Sequence, residues 1–162
     1  MKKTALGMLC VVALAGCGSK ENDMEVACKE LLEISSVNPR KVQINKISML
    51  HAVLKKEEAI KELEFYYKEP IGSTQLTYIN LLYGDLNKPP RQYFVSIDYT
   101  DEGGLSPKRG GAVCRYYVDS EPMLIGASLN RGVHISSRPA IMDFLILRGR
   151  PKNMDTIGKI EK

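Results

Sequence analysis

Four cysteines, two histidines and a scatter of acids are the residues of this 162-residue chain whose chemistry goes beyond packing. The cysteines stand at 10, 17, 28 and 114, with no Cys-x-x-Cys pair of the kind that holds zinc or cycles a disulfide. His51 and His134 fall in no metal-ligand spacing such as HExxH. Gly126-Ala127-Ser128-Leu129-Asn130 approaches the G-x-S-x-G elbow that exposes a nucleophilic serine, but Asn130 replaces its last glycine. No strand–turn–helix pattern surrounds it. Asp98, Asp101, Glu102, Asp119 and Glu121 are acids of the type that binds Ca²⁺ or splits glycosidic bonds in pairs. They do not follow D-x-D-x-D-G, and they read more simply as solvated loop residues. The expectation is no catalytic residue, no metal, no cofactor and no enzyme activity.

The most suggestive segment is Ser106-Pro107-Lys108-Arg109-Gly110-Gly111, within a loop expected over 101–111 that holds four glycines. Lys108 and Arg109 beside Gly110 and Gly111 offer cations and backbone N–H groups to an anion. Lipid phosphate, lipopolysaccharide, a cell-wall carboxylate or an acidic protein would fit. The plainer reading is a hairpin loop kept soluble by its charges. Arg138, Arg148, Arg150 and Lys152 form a second basic group, and beside an anionic membrane each such charge adds about 1 kcal/mol.

The N-terminus says where the chain resides. Met1-Lys2-Lys3 is basic, Ala5 to Ala15 is almost wholly apolar, and Gly18 onward is polar. That is the layout of a secretory signal, and it is shorter than the ~20 apolar residues of a membrane span. It closes on Leu14-Ala15-Gly16-Cys17, which resembles the bacterial lipobox. The resemblance implies cleavage before Cys17 and acylation of that cysteine on sulfur and amine. Residues 1–16 would be the signal peptide. Two acyl chains hold a protein stably to a bilayer where one does not. Gly18, rather than Asp, after the cysteine implies the periplasmic face of the outer membrane in a host with two membranes.

Loss of residues 1–16 takes Lys2 and Lys3 with it, so the formal net charge of +4 falls to +2. Neither that balance nor the compartment suits nucleic acid. What remains is long enough for one domain with a real core. Cys10 leaves with the signal and lipid takes Cys17, so Cys28 and Cys114 remain in an exported chain. One disulfide between them is the simplest outcome, with two buried thiols or a metal pair as the alternatives.

The elements must position these groups. Residues 17–22 are polar and short and read as a tether, followed by an α+β domain over 23–150 and a polar C-terminal tail at 151–162. Met24, Ala27, Cys28, Leu31 and Leu32 recur at helical spacing, so a helix is expected over 23–35, stopped by Asn38-Pro39. Lys41 to Leu50 reads as a strand with a phase slip at Lys46. Lys55 to Lys68 is the clearest helix. Thr74 to Tyr83 reads as a strand. Gln92 to Tyr99 alternates, with Tyr93, Val95, Ile97 and Tyr99 on one face. Ala112 to Val118 is the next strand, and Met123–Leu129 and Val133–Ser136 flank a turn at Asn130-Arg131-Gly132. Residues 139–147 suit a helix with Pro139 in its first turn, or else a buried strand. The fold class is therefore α+β: an antiparallel sheet with N-terminal helices packed on one face, one domain and one disulfide.

A Cys-x-x-x-Leu helix ending in Asn-Pro, the strand "VSIDY", a Gly-rich loop and "RGGAVCRYY" together resemble small disulfide-bonded envelope lipoproteins of unassigned function. The resemblance implies that the cysteine of the first helix pairs with that of the strand. It implies no catalytic residue. The expected function is a membrane-anchored, non-catalytic binding module for an envelope protein or a cell-wall component. The alternatives are a periplasmic enzyme inhibitor of the lysozyme-inhibitor kind and a small envelope hydrolase.

Overall fold

The computed structural model describes residues 18–84 and 86–151. The expected signal peptide, Cys17 and the tail from 152 lie outside them. Four helices and five strands follow in order: α1 (Gly18–Ser35), β1 (Val42–Val53), α2 (Lys56–Tyr67), α3 (Ser73–Tyr83), β2 (Arg91–Asp101), β3 (Lys108–Val118), β4 (Pro122–Ser128), β5 (His134–Ile135) and α4 (Arg138–Arg148). The strands pair as one antiparallel sheet in the order β1-β2-β3-β4-β5. The class is the expected one: α+β, a single domain, with one disulfide joining Cys28 and Cys114.

The alternation in β2 does what its sequence promises. Tyr93, Val95, Ile97 and Tyr99 are buried, while Phe94, Ser96, Asp98 and Thr100 between them are half-exposed. The slip in β1 is a bulge, where the register against β2 shifts between Ile44 and Lys46. α1 lays Met24, Ala27, Cys28, Leu31 and Leu32 against the buried face. Their spacing of three and four puts them on one side of the helix. The Cys28–Cys114 bond and a hydrogen bond from the Tyr116 hydroxyl to the Met24 carbonyl (3.0 Å) fix α1 along β3.

Cys114 and Tyr116 point toward α1. Arg115 between them points to the other side of the strand, where its guanidinium meets Glu62 of α2 at 3.7 Å. The helices thus reach the sheet from both sides, which corrects the expectation of N-terminal helices on one face: α1 takes one side and α2 the other.

The sheet has two poles, defined by register. At the lower pole Val53 pairs with Arg91 and Arg91 with Val118, and β4 starts from Pro122. At the upper pole Val42 pairs with Asp101 and Asp101 with Lys108. At roughly 3.3 Å per residue the poles are about 33 Å apart along β3. α1 runs from lower to upper. Lys20 Nζ bonds the Ser120 carbonyl and Glu121 at the lower pole, and the Lys41 carbonyl, just past α1, accepts from the Glu102 N–H at the upper pole (2.9 Å). The α2–α3 excursion leaves and rejoins the sheet at the lower pole, closed by a Leu54 N–H to Pro90 carbonyl bond of 2.9 Å.

Three boundaries differ from the sequence reading. Residues 18–22, expected as part of a tether, form the first turns of α1, which starts at Gly18 rather than 23. Lys20 is tied to the β3–β4 turn, and Glu21 suits the positive end of the helix. The expected strand Thr74–Tyr83 is the helix α3. Its threonines and aromatics favour a strand in isolation, but the Gly72 N–H donates to Gln75 Oε1 (2.9 Å), and Thr77 Oγ1 donates back to the Ser73 carbonyl. Ile79 and Leu82, three residues apart, are then buried together. The expected loop 101–111 is shorter, because β2 continues to Asp101 and β3 begins at Lys108. Residues 138–148 are the helix α4, which buries Ile141, Phe144 and Leu145 at helical spacing.

Candidate functional site

The shortened loop 102–107 overhangs a cavity of about 720 Å³ at the upper pole. That is within the range of small-molecule sites, roughly 300–1,000 Å³. Its floor is a polar network. Tyr99 of β2 donates its hydroxyl to Asn130 Oδ1 (2.9 Å), and Asn130 Nδ2 donates to Asp101 Oδ2 (3.0 Å). Asp101 Oδ1 accepts from the Gly103 N–H (2.9 Å), which folds the loop back over the strand end. Asp101 and Asn130 are buried. A buried carboxylate needs such donors, since without them its desolvation costs several kcal/mol.

The four residues singled out around Lys108 lie in β3, not in a loop. Gly110 pairs with Tyr99 and Gly111 with Asp98, so their backbones serve the sheet ladder and form no anion cradle. Lys108 is exposed at the rim of the cavity, beside Asp101 in register. Arg109 also borders the cavity, but its guanidinium is held in a bidentate pair by Asp98, with Nε to Oδ1 at 2.9 Å. Successive residues of a strand face opposite sides, so the two cations do not converge on one ligand. The Arg109 hydrogen bonds, assisted by one from Asn45, hold the Asp98 carboxyl below its ordinary range and raise Arg109 in turn.

Gly110 has a different role. A side-chain carbon there would sit 2.6 Å from the Tyr99 hydroxyl oxygen and 2.7 Å from the ring carbon that carries it. The ring therefore lies on bare backbone, and the glycine is what lets the phenol reach Asn130.

The remaining chemistry-bearing residues disperse. Asp98 and Asp101 are at the upper pole, whereas Asp119 and Glu121 follow β3 at the lower pole. Among the described residues no group of three or more His, Cys, Asp or Glu side chains could hold a metal ion. His51 stacks on Tyr93 (centroids 5.1 Å apart). Ser128 lies in β4 opposite His134 of β5, within a ladder rather than on a strained strand-to-helix turn. Neither histidine lines the cavity. Arg138 sits over the Tyr67 ring, away from Arg148 and Arg150 at the far end of α4.

The cavity can hold a polar ligand. Asp101 and Asn130 supply acceptors and an amide at the floor, Ser106 a hydroxyl on the loop, and Lys108 a cation at the rim. Asn130 is the residue the sequence reading missed as a site residue. It stands there only as part of a turn and as the residue that spoils the serine elbow, and its partners are 29 and 31 residues away.

No family model, no curated protein and no solved structure matches this chain.

Proposed function

We propose that this protein is an envelope lipoprotein, anchored through acylated Cys17, that binds another envelope molecule at its upper pole without turning it over. The observation that carries the reading is polarity. α1 starts at Gly18 beside the Ser120–Glu121 turn at the lower pole, and the cavity opens at the opposite end of the sheet. A chain anchored one residue before α1 presents that cavity away from the bilayer, about 33 Å out. Gly18 after the cysteine favours the periplasmic face of the outer membrane. The ligand chemistry suits a cell-wall component or a polar protein surface.

Two measurements test this. The mass of the mature N-terminal peptide reads acylation of Cys17, and an unmodified Cys17 overturns the anchor. A photo-crosslinking residue at Leu105, on the loop over the cavity, is then activated in living cells. A reproducible adduct lost in Lys108→Ala supports the binding reading. No adduct at 105 above a lower-pole control overturns it, as does turnover of an envelope substrate that depends on the cavity.

A second reading is favoured by one feature. Leu105 is fully exposed at the tip of the loop, with Lys108 behind it. A protruding loop with an apolar tip and a cation could plug the acidic cleft of an enzyme. A lysozyme inhibition assay separates the two readings. Inhibition lost in Leu105→Asp would make this an inhibitor.

A further inference from the structure

α3 is a helix without a charge. Its eleven residues, STQLTYINLLY, contain no Asp, Glu, Lys or Arg. Only Ile79 and Leu82 are buried, while Leu76, Tyr78 and Leu81 are each about 40 % exposed and Leu86, just past the helix, is 44 % exposed. An exposed helix normally carries charge on its outer face. Here that face offers two leucines, a tyrosine and threonines to whatever lies beyond it. Contiguous exposed apolar groups of this kind mark a contact surface.

The position of α3 says what that contact is. The Tyr83 hydroxyl donates to the Leu54 carbonyl (2.8 Å), immediately after β1. The Lys88 N–H donates to the Leu82 carbonyl (2.8 Å) on the way into β2. Tyr78 and Tyr83 lie close enough to Tyr117, the penultimate residue of β3, for a phenolate on either to disfavour its ionisation. All three relations place the C-terminal half of α3 at the lower pole, the pole at which α1 begins beside Ser120 and Glu121. We propose that the outer face of α3, through Tyr78, Leu81 and Leu86, rests on the lipid surface that anchors Cys17. This inference depends on the anchor reading above.

The chemistry fits an interfacial contact. Tyr joins an apolar ring to a polar tip and suits the headgroup level, and leucines beside it add buried area. The contact is made on the surface, since among the described residues no helix is long and apolar enough to cross a membrane. Charge around the patch is mixed: Lys55, Lys88 and Arg91 are exposed nearby, and Glu57 and Glu58 lie close enough to act on Tyr83. Binding should therefore follow apolar insertion more than headgroup charge. Two points of attachment, the acyl chains and α3, would hold the sheet upright and keep the cavity facing outward.

The chain contains no tryptophan, so one introduced residue gives a clean optical reading. The mature acylated protein, with its Cys17 modification confirmed by mass, is reconstituted into vesicles of phosphatidylethanolamine and phosphatidylglycerol containing brominated acyl chains. Leu81→Trp is compared with Leu105→Trp at the upper pole. The expected result is a blue shift and loss of most emission for Leu81→Trp, with Leu105→Trp unchanged. A second variant, Tyr78→Asp with Leu81→Trp, should restore the emission. Unquenched Leu81→Trp on a protein whose Cys17 is acylated overturns the docking face and leaves the anchor standing. Equal quenching at both positions overturns it as well, because the domain then has no fixed orientation. Unquenched Leu81→Trp combined with a dimeric mass in detergent reassigns the face to a second copy. An unacylated Cys17 removes the anchor and the inference together.

Discussion

The Tyr99 ring lies across the backbone of Gly110, its cross-strand partner, at a distance that leaves no room for a side-chain carbon. Tyr99 is buried and its hydroxyl is committed to Asn130, so the ring cannot swing away cheaply. Gly110→Ala should therefore destabilise the domain by about 1–3 kcal/mol, the usual cost of forced overpacking. Gly111 is the control. Nothing lies within 4 Å of a carbon added there. Gly111→Ala should stay within about 0.5 kcal/mol of the parent in a urea titration. Equal effects at the two positions would contradict the role given to Gly110.

Asn130 joins Tyr99 to Asp101 through both ends of one amide. Asn130→Ala removes a partner from each of two buried groups and should cost about 1–3 kcal/mol. Tyr99→Phe should cost less, about 0.5–1.5 kcal/mol, because the shape of the ring survives. The two changes made together should cost less than their sum, since they break the same bond. Additive costs would place the two residues in separate interactions.

How far the sequence was readable depends on where each signal is stored. The β2 strand was legible because burial writes itself at period two, as Tyr93, Val95, Ile97 and Tyr99 show. The Cys28–Cys114 pairing was legible by elimination, given the signal and the lipobox, and the resemblance pointed the same way. α3 was not legible. Its tyrosines and threonines resemble a strand, and what makes it helical is the Gly72–Gln75 bond and the burial of Ile79 and Leu82. Lys108 does border the cavity, but Gly110 and Gly111, which read as loop glycines, are residues of β3, and it is Gly110 alone that lies under the Tyr99 ring. Asn130 was beyond reach, because a contact between residues about 30 apart leaves no local trace.

The disulfide spans 86 residues and ties α1 to the middle of the sheet. A loop of that length restrains the unfolded chain strongly. The chain-entropy model gives roughly 4.5 kcal/mol, and the common experimental range is about 2–4 kcal/mol. Cys28→Ala with Cys114→Ala should lower the urea midpoint accordingly, as should reduction of the parent by dithiothreitol. A midpoint that reductant leaves unchanged would mean that α1 is held by packing alone.

Asp98 and Arg109 form an exposed bidentate pair, and Arg109 is the main reason that the carboxyl titrates below its ordinary range. Carboxyl-detected NMR should find the Asp98 midpoint below that of an ordinary aspartate. Arg109→Ala should move it back up, less any help that remains from Asn45. The sign for stability follows. A lowered folded value favours the folded state above the unfolded carboxyl range, and that contribution is lost as pH falls through the folded value. The pair is exposed, so the titration rather than the melting point is the measurement to trust.

Tyr116 and Tyr117 mark the opposite end of the pH scale. Burial raises the Tyr116 phenol far above its ordinary value near 10, and its hydroxyl donates to the Met24 carbonyl. Burial also raises Tyr117, with Asp119 and the neighbouring tyrosines adding to it. In the unfolded chain both phenols ionise near pH 10. Their protonated forms therefore belong to the folded state. Stability from these groups is fully present below about pH 10 and is lost as pH rises beyond it, because only the unfolded chain can release those protons. Ultraviolet titration should show the two phenols still protonated until the domain unfolds in alkali, and the unfolding step should release them together. Tyr117→Phe should make that step shallower in pH. A smooth titration of all eight tyrosines near pH 10 with the fold intact would contradict the burial of both residues.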